Sequence, residues 1–330
     1  MPTIRRIDRL LPVLLAALMV AVSARAQAAP GAPFTIGRGE RVVFIGNAFA
    51  ERMQLFPHFE ALLTTLQPDD SLTFRNMGWS GDEVALQPRP LNFGDMHSHL
   101  GEQRADVIFA AFGMSESYGG EAGLPGFGVA LDTLLQAMQR RQYNGRSQPR
   151  IVLLSPIAHE RIERVPLDPA AHNRQLAMYT QAMREVAASR GVRFVDLHTP
   201  TLPLMENRSL GDLTINGIHL NDRGNEIVIR IIARSLGWPA ADPLGPPARD
   251  PAIARLEAAI RDKNQLFFYR WRAVNGEYIY GRRKEPFGVV NFPPEMKTLE
   301  EMIGAREAQI WSIARSLPAR SRTSLAGGRQ

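Results

Sequence analysis

The sequence predicts an α/β fold, a three-layer sandwich in which helices cover both faces of a five-stranded parallel sheet. Short apolar runs alternate with helix-forming segments along the middle of the chain, an order that is typical of such sheets. The 330 residues are 45% hydrophobic and 22% charged, which is ordinary for a globular protein and excludes disordered or fibrous classes. This length suffices for one large domain with an appendage.

Five segments have the composition of buried strands, because each is a short apolar run bounded by glycine or polar residues. They span residues 41–45, 71–76, 105–112, 150–155 and 192–197. Between and after them, apolar residues recur at helical spacing. The predicted helices span residues 50–66, 129–141, 172–190 and 222–236.

The first 28 residues have the pattern of a signal peptide. Arg5, Arg6 and Arg9 precede an apolar segment over 10–22, and Ala26-Gln27-Ala28 forms a cleavage motif. The apolar segment is short for a bilayer span, so an uncleaved membrane anchor is the less favoured alternative. We expect a bacterial protein that is exported to the periplasm or secreted, with no stable membrane span after cleavage.

The net charge of +6 resides at the two ends of the chain. Residues 1–28 carry +3 and residues 314–330 carry +4, which leaves −1 for the remainder. Because nucleic-acid binding needs basic groups on the folded surface, we expect no nucleic-acid partner. Cysteine is absent, which excludes disulfide scaffolds, thiol nucleophiles and thiolate metal sites.

Glycine-rich and polar segments follow the first, second, third and fifth predicted strands. They lie at residues 46–48, 76–82, 113–116 and 216–221. Ligands of parallel sheets bind beyond the carboxyl ends of the strands, so these segments are expected to meet at one cleft.

Read in order, the four segments resemble the conserved blocks of the SGNH, or GDSL-type, hydrolases. Gly46-Asn47-Ala48 is similar to the G-D-S block, and Gly78 matches the glycine of the second block. Gly113-Met114-Ser115-Glu116 is similar to G-x-N-D, and Asn216-Gly217-Ile218-His219 to D-x-x-H. The resemblance covers about residues 39–238. It implies a flavodoxin-like SGNH fold without a cofactor, and an activity on ester bonds, with acylated carbohydrate as a candidate substrate.

Three catalytic positions depart from the pattern of that family. Ala48 stands at the position of the serine nucleophile, Ser115 at that of the oxyanion asparagine, and Asn216 at that of the aspartate that orients the histidine. A methyl group cannot attack a carbonyl, so the usual acyl-enzyme route is closed. His219 and Gly78 match the family pattern. The resemblance implies that Gly78, Asn76 and Asn47, together with Ser115, line the site or bind the oxyanion.

Two functions remain open. Ser80 or Ser115 could replace the missing nucleophile of a small-molecule or carbohydrate ester hydrolase, although loop serines more often cap turns or bind backbone. Alternatively, the protein binds a ligand and has lost the chemistry. A serine hydroxyl within hydrogen-bond reach of the His219 ring would favour the hydrolase. His219 itself could instead cap the following helix. The sequence identifies no protein partner.

The Asp95-x-His97-x-His99 segment has alternating spacing that could suggest a metal site. Its neighbours indicate a loop or the start of a helix rather than a strand, so we expect no metal there.

Residues 239–317 are predicted to form a helical and aromatic extension. A proline-rich linker precedes a helix that should begin at Asp250-Pro251, and a second helix is predicted over 299–313. The run over 267–272 mixes aromatic and basic residues, with Tyr278, Tyr280 and Phe287 beyond it. This run could stack on sugars or bases, but packing against the main domain is favoured. Residues 318–330 are expected to be a disordered basic tail.

Overall fold

The structure, a computed structural model, describes residues 32–90, 93–245, 250–272, 284–285, 288, 290 and 292–326. The predicted signal peptide and the distal aromatic residues Tyr278, Tyr280 and Phe287 lie outside the described residues. None of the helices in the described ranges is long and apolar enough to cross a membrane.

All five predicted strands form and pair in parallel. They are β1 (Arg41–Gly46), β2 (Thr73–Asn76), β3 (Val107–Ala111), β4 (Arg150–Leu154) and β5 (Arg193–Val195). Their order across the sheet is β2-β1-β3-β4-β5, the flavodoxin-like arrangement, which confirms the predicted fold class. Strand β2 is added on one side of β1, whereas β3, β4 and β5 are added on the other side. A crevice therefore opens between β1 and β3, at the carboxyl ends of these two strands.

Helices flank both faces of the sheet. The α-helices of the main domain are α1 (Ala48–Arg52), α2 (His58–Leu66), α3 (Met96–Glu102), α4 (Gly120–Gln139), α5 (Ala170–Arg190), α6 (His198–Glu206) and α7 (Asp222–Ser235). Short 3-10 helices span Met53–Leu55, Glu116–Gly119 and Arg208–Leu210. Alternate residues of β1 belong to separate cores, with Phe44 packed in one and Val43 and Ile45 in the other.

In the main domain, two helices differ by more than two residues from their predicted bounds. The helix expected over 50–66 is split into α1, a 3-10 turn and α2, because Phe56 precedes Pro57 and adopts the extended conformation that a following proline favours. Helix α4 begins at Gly120 rather than at 129, although its first turns contain several glycines and Pro125. There the Tyr179 hydroxyl donates to the Gly120 carbonyl at 3.0 Å, so a tertiary contact offsets weak helix propensity.

Two long helices follow the linker, α8 (Pro251–Trp271) and α9 (Phe292–Ser316). Helix α8 begins as predicted, since the Asp250 carboxylate accepts from the Ala252 N–H at 2.8 Å. Phe267 and Trp271 are buried against the main domain, which confirms the packing expected for this part of the aromatic run.

Residues 319–326, which were expected to belong to a disordered tail, form helix α10 (Ala319–Ala326). The Ser321 hydroxyl donates to Asp250 at 2.5 Å, and the Leu325 carbonyl accepts from the Ala241 N–H at 3.1 Å. The Leu325 side chain packs against two hydrophobic cores. These long-range contacts order a segment whose basic composition alone favours disorder.

Buried charges fasten the extension to the main domain. Lys263 of α8 is 1% exposed, and its Nζ lies 2.6 Å from the Glu60 carboxylate of α2. Arg75 of β2 donates to Glu307 of α9 at 2.5 Å. Breaking a buried pair leaves a charge without compensation, so each pair ties the helices to a single position.

We expect Glu60→Gln to lower the free energy of unfolding by about 3–5 kcal/mol, because the Lys263 ammonium then stays buried without its counter-charge. The matched control is Asp262→Asn, which removes the partner of Arg306 in an exposed pair and should cost less than about 1 kcal/mol. Urea unfolding of both variants measures the difference, and equal losses would contradict the role given to the buried pair.

Candidate functional site

A cavity of about 70 Å³ lies at the crevice between β1 and β3. It brings together Asn47, Ala48, Ser115 and His219, four of the positions that the sequence pattern placed at one cleft. The rest of the wall is largely apolar and includes Phe49, Phe112, Met114, Tyr118, Pro156, Ile157 and Ile218. A water molecule takes about 30 Å³ of liquid volume, so the cavity suits a group of the size of a short acyl chain.

Asn47 fixes the start of α1 at the edge of this cavity. It is 4% exposed, its N–H donates to the Ala111 carbonyl at 3.1 Å, and its side-chain oxygen accepts from the Phe49 N–H at 3.0 Å. Ala48 is therefore held as the first residue of the helix, and its methyl group lies where the family resemblance places a nucleophile.

Asn76 and Gly78 do not line the small cavity. The Asn76 amide donates to the Ala50 carbonyl at 2.6 Å, and its oxygen accepts from the Gly78 N–H at 2.9 Å. A Cβ on Gly78 would lie 2.2 Å from the Glu51 nitrogen, so glycine is needed because the loop touches α1. The oxyanion role expected of Gly78 is not available in this arrangement, because its N–H already has an acceptor.

Asn216 and His219 interact through a fixed side-chain orientation. The Asn216 oxygen accepts from the backbone N–H groups of Ile218 at 3.4 Å and His219 at 3.0 Å. The Asn216 NH₂ group consequently faces His219 Nδ1, at 3.0 Å. An amide nitrogen only donates, so Nδ1 accepts and the neutral ring carries its proton on Nε2.

The surroundings of His219 favour the neutral form of its ring. Burial lowers the pKa of His219, and the positive charge of Arg52 lowers it further. An aspartate at position 216 would accept from Nδ1–H and leave Nε2 free to take a proton, whereas Asn216 produces the opposite tautomer. The ring nitrogen that would serve as the general base is thus a donor.

Neither candidate serine completes a catalytic pair. Among the described residues, the His219 ring forms its one hydrogen bond with Asn216. The Ser115 hydroxyl, in the same cavity, has no hydrogen-bond partner within the described part of the chain. Ser80 is exposed, and its backbone N–H donates to the Glu51 carboxylate. The hydroxyl-to-imidazole contact that would favour the hydrolase is not formed.

Residues 34–227 match the GDSL-like lipase/acylhydrolase family, a span of more than half of the chain. The chain belongs to this family. The membership confirms the resemblance that the four sequence blocks indicated, and it relates the cleft described above to that of ester hydrolases. No curated protein matches the chain in sequence.

Two of the solved structures that this chain resembles in fold are enzymes. A gut microbial diltiazem-metabolizing enzyme is 20% identical, with a TM-score of 0.49, over 63% of this chain and 48% of its own. The chain thus spans about half the length of that enzyme. Axe2, an acetylxylan esterase from Geobacillus stearothermophilus, is 18% identical, with a TM-score of 0.46, over 62% of this chain and 97% of its own.

A second, larger cavity of about 480 Å³ shares His219 with the small one. Its other lining residues come from α1 and the turn after it, the loop after β2, and α8. They are Glu51, Arg52, Gln54, Leu55, Ser80, Arg261, Gln265 and Phe268. His219 therefore stands between a small apolar cavity and a larger cavity with several charged and polar side chains, whose volume is in the range of ligand sites.

Glu160, which sequence reasoning missed, anchors the loop that carries Asn216 and His219. Its carboxylate is 3% exposed and accepts from the Leu213 N–H at 2.8 Å, the Thr214 N–H at 2.7 Å and the Thr214 hydroxyl at 2.5 Å. Its own N–H donates to the Gly217 carbonyl at 2.8 Å. A charged residue soon after an apolar strand, at the carboxyl edge of the sheet, is the pattern that could have indicated it.

A buried chain of hydrogen bonds supports the same loop from behind. The Ser117 hydroxyl donates to the Met114 carbonyl at 2.7 Å, so its oxygen accepts from His172 Nε2 at 2.8 Å. His172 Nδ1 then accepts from His159 Nδ1 at 2.9 Å. A Cβ on Gly217 would lie 2.7 Å from His159 Nε2, which places this chain directly against the His219 loop.

The segment considered as a metal site, Asp95-x-His97-x-His99, forms local hydrogen bonds instead. Asp95 caps α3 by accepting from the Ser98 N–H at 2.7 Å. His97 Nδ1 lies 2.7 Å from the Tyr143 hydroxyl, and His99 Nε2 lies 2.8 Å from the Phe93 carbonyl. Within the described ranges no group of histidine and acidic side chains is arranged to hold a metal ion.

We expect acid to weaken the fold partly through His172. Burial, together with neighbouring His159 and His198, lowers the pKa of His172 from 6.5 to about 4. The unfolded chain binds this proton first, so stability falls as the pH drops through this interval, by up to about 3 kcal/mol. His172→Asn removes that contribution. The wild-type protein should therefore lose its stability advantage over the variant, measured as a difference in unfolding free energy, as the pH falls from about 7.5 to about 4.5. A constant difference would contradict the assignment.

Proposed function

We propose that this protein binds an acyl ester, with the acyl group in the small cavity, and does not cleave it through an acyl-enzyme. The observation that carries the proposal is the hydrogen bond from the Asn216 amide to His219 Nδ1, at 3.0 Å. It turns the imidazole nitrogen that would remove a proton into one that donates a hydrogen bond. The cleft then recognises an ester instead of activating a nucleophile.

Three chemical requirements of ester hydrolysis are missing together. Ala48 provides no nucleophile, His219 has the wrong tautomer for a general base, and Ser115 replaces an oxyanion donor. A comparable tautomer error costs roughly 10⁴-fold in turnover. Loss of one oxyanion donor costs roughly 10²–10³-fold. These losses leave binding as the property that the cleft retains.

The cavity retains the groups that recognise an ester. His219 Nε2–H and the Ser115 hydroxyl supply hydrogen-bond donors for its oxygen atoms, and the apolar wall accommodates a methyl or short alkyl group. The larger cavity on the other side of His219, with its charged and polar side chains, gives room for the alcohol part of the ester. An acylated carbohydrate has this division into a small apolar group and a large polar body.

Ester hydrolysis is the second candidate. The Ser115 hydroxyl has no hydrogen-bond partner in the described part of the chain and shares the cavity with His219, so it is the candidate nucleophile that the cavity contains. Family membership also favours this activity.

We further propose that the protein acts outside the cytoplasm. The arginines before the apolar segment over 10–22 and the Ala26-Gln27-Ala28 motif support cleavage near Ala29 and export to the periplasm or the medium.

We expect Ala48→Ser alone to give little esterase activity, because Asn216 keeps the base in the wrong tautomer. Ala48→Ser combined with Asn216→Asp should exceed it by roughly 10³–10⁴-fold, since the two residues act as a unit. Adding Ser115→Asn should raise turnover again by roughly 10²-fold. Hydrolysis of nitrophenyl acetate measures all variants.

The matched control is Ala48→Ser with Ser80→Ala, which should behave like Ala48→Ser because Ser80 faces the larger cavity. Strong hydrolysis by the unmodified protein that Ser115→Ala abolishes would contradict the binding function and establish the second candidate.

A further inference from the structure

The larger cavity contains one arginine, Arg52, that forms no ion pair with the described residues. Glu51 binds Arg272 at 2.7 Å, and Arg261 lies 3.6 Å from the Glu257 carboxylate. Arg52, between them on the wall, forms no ion pair within the described part of the chain. Its single hydrogen bond, from Nη2 to the Leu220 carbonyl, is long at 3.4 Å.

The Arg52 side chain also contains a buried hydrogen-bond donor that has no acceptor among the described residues. Arg52 Nε is shielded from solvent and has no hydrogen-bond partner among the described residues. A buried guanidinium N–H without an acceptor is unfavourable, and native structures seldom retain one without a reason. Because Nε is shielded from solvent, a carboxylate in the cavity would be bound by the Nη groups, which can donate side by side to its two oxygens.

Resting on the function proposed above, we propose that the larger cavity binds the carboxylate of an acidic sugar through Arg52, while the acyl substituent of that sugar occupies the small cavity. His219 lies on the wall of both cavities and would contact the ester that joins the two parts. Gln54, Ser80 and Gln265 supply polar groups for hydroxyls, and the Phe268 ring supplies an apolar face for the sugar.

The charges around the cavity favour a single negative charge. Arg52 is the one uncompensated cation on the described wall, and the Glu51 carboxylate beside it would repel a dianion such as a phosphate monoester. A uronic acid carries one carboxylate on a neutral polyol, and this matches one arginine and several neutral polar groups.

Two acetylated methyl glycosides that differ only in the group on carbon five test the proposal: one of glucuronic acid and one of glucose. Titration calorimetry on the wild-type protein should show at least about tenfold tighter binding of the glucuronate, the effect of one charge-assisted pair. The preference should decrease as sodium chloride is added, because salt screens the pair.

Arg52→Gln should remove the preference and leave the affinity for the acetylated glucoside within about threefold, and Arg52→Lys should retain part of it. The matched control is Arg208→Gln, which changes an exposed arginine of a separate surface cavity and should leave both affinities unchanged. Thermal melting verifies that each variant folds. The salt series on the wild-type protein provides a test that needs no variant.

Each result separates this proposal from the proposed function. Equal affinities for both glycosides, or a preference that survives Arg52→Gln, would overturn the carboxylate site and leave ester binding intact. The unacetylated methyl glucuronide is titrated alongside. Binding that depends on Arg52 but is no tighter for the acetylated than for the unacetylated glucuronide would establish the carboxylate site and contradict acyl recognition. Binding of neither glycoside at millimolar concentration would overturn both.

Discussion

The backbone N–H groups of Ile218 and His219 both point at the side-chain oxygen of Asn216, and this leaves only the amide nitrogen to face the imidazole. An aspartate in the same geometry would satisfy the same two donors with one oxygen and accept from the ring with the other. A single replacement of oxygen by NH₂ therefore reverses the proton position on His219 while it preserves the loop. The assignment of His219 as a hydrogen-bond donor to an ester, instead of a general base, depends on that reversal.

Buried hydrogen bonds hold the loop that carries Asn216 and His219 in place. Glu160 accepts three hydrogen bonds from the segment before Asn216, and His159 packs against Gly217 at the end of a chain that begins at Ser117. Positioning of this kind reduces the entropy that a ligand must remove on binding. A rigid loop that carries altered polar groups is consistent with a site that still binds a ligand.

Much of the fold could be predicted because it depends on local patterns. Apolar runs gave all five strands, and the rule that ligands bind at the carboxyl edge brought Ala48, Ser115 and His219 to one cavity. The start of α4 and the existence of α10 could not be predicted in the same way. Each depends on contacts between residues far apart in sequence, such as those of Leu325 with Ala241 and with the cores.

The same distinction applies to the site. The replacements at 48, 115 and 216 are visible in the sequence. The sequence does not show that the Gly78 N–H is already engaged by Asn76, or that Arg52 Nε has no hydrogen-bond partner among the described residues. Both facts follow from three-dimensional arrangement. A motif identifies which residues reach the cleft, whereas the hydrogen bonds decide what each of them can donate or accept.

The central claim is the tautomer of His219, and ¹⁵N NMR of the histidine ring nitrogens measures it most directly. At neutral pH the wild-type protein should show His219 neutral with its proton on Nε2, and Asn216→Asp should move the proton to Nδ1. His219→Gln identifies the resonance by its disappearance. A wild-type spectrum in which His219 carries its proton on Nδ1 would contradict the account, because Nε2 would then be free to act as a base.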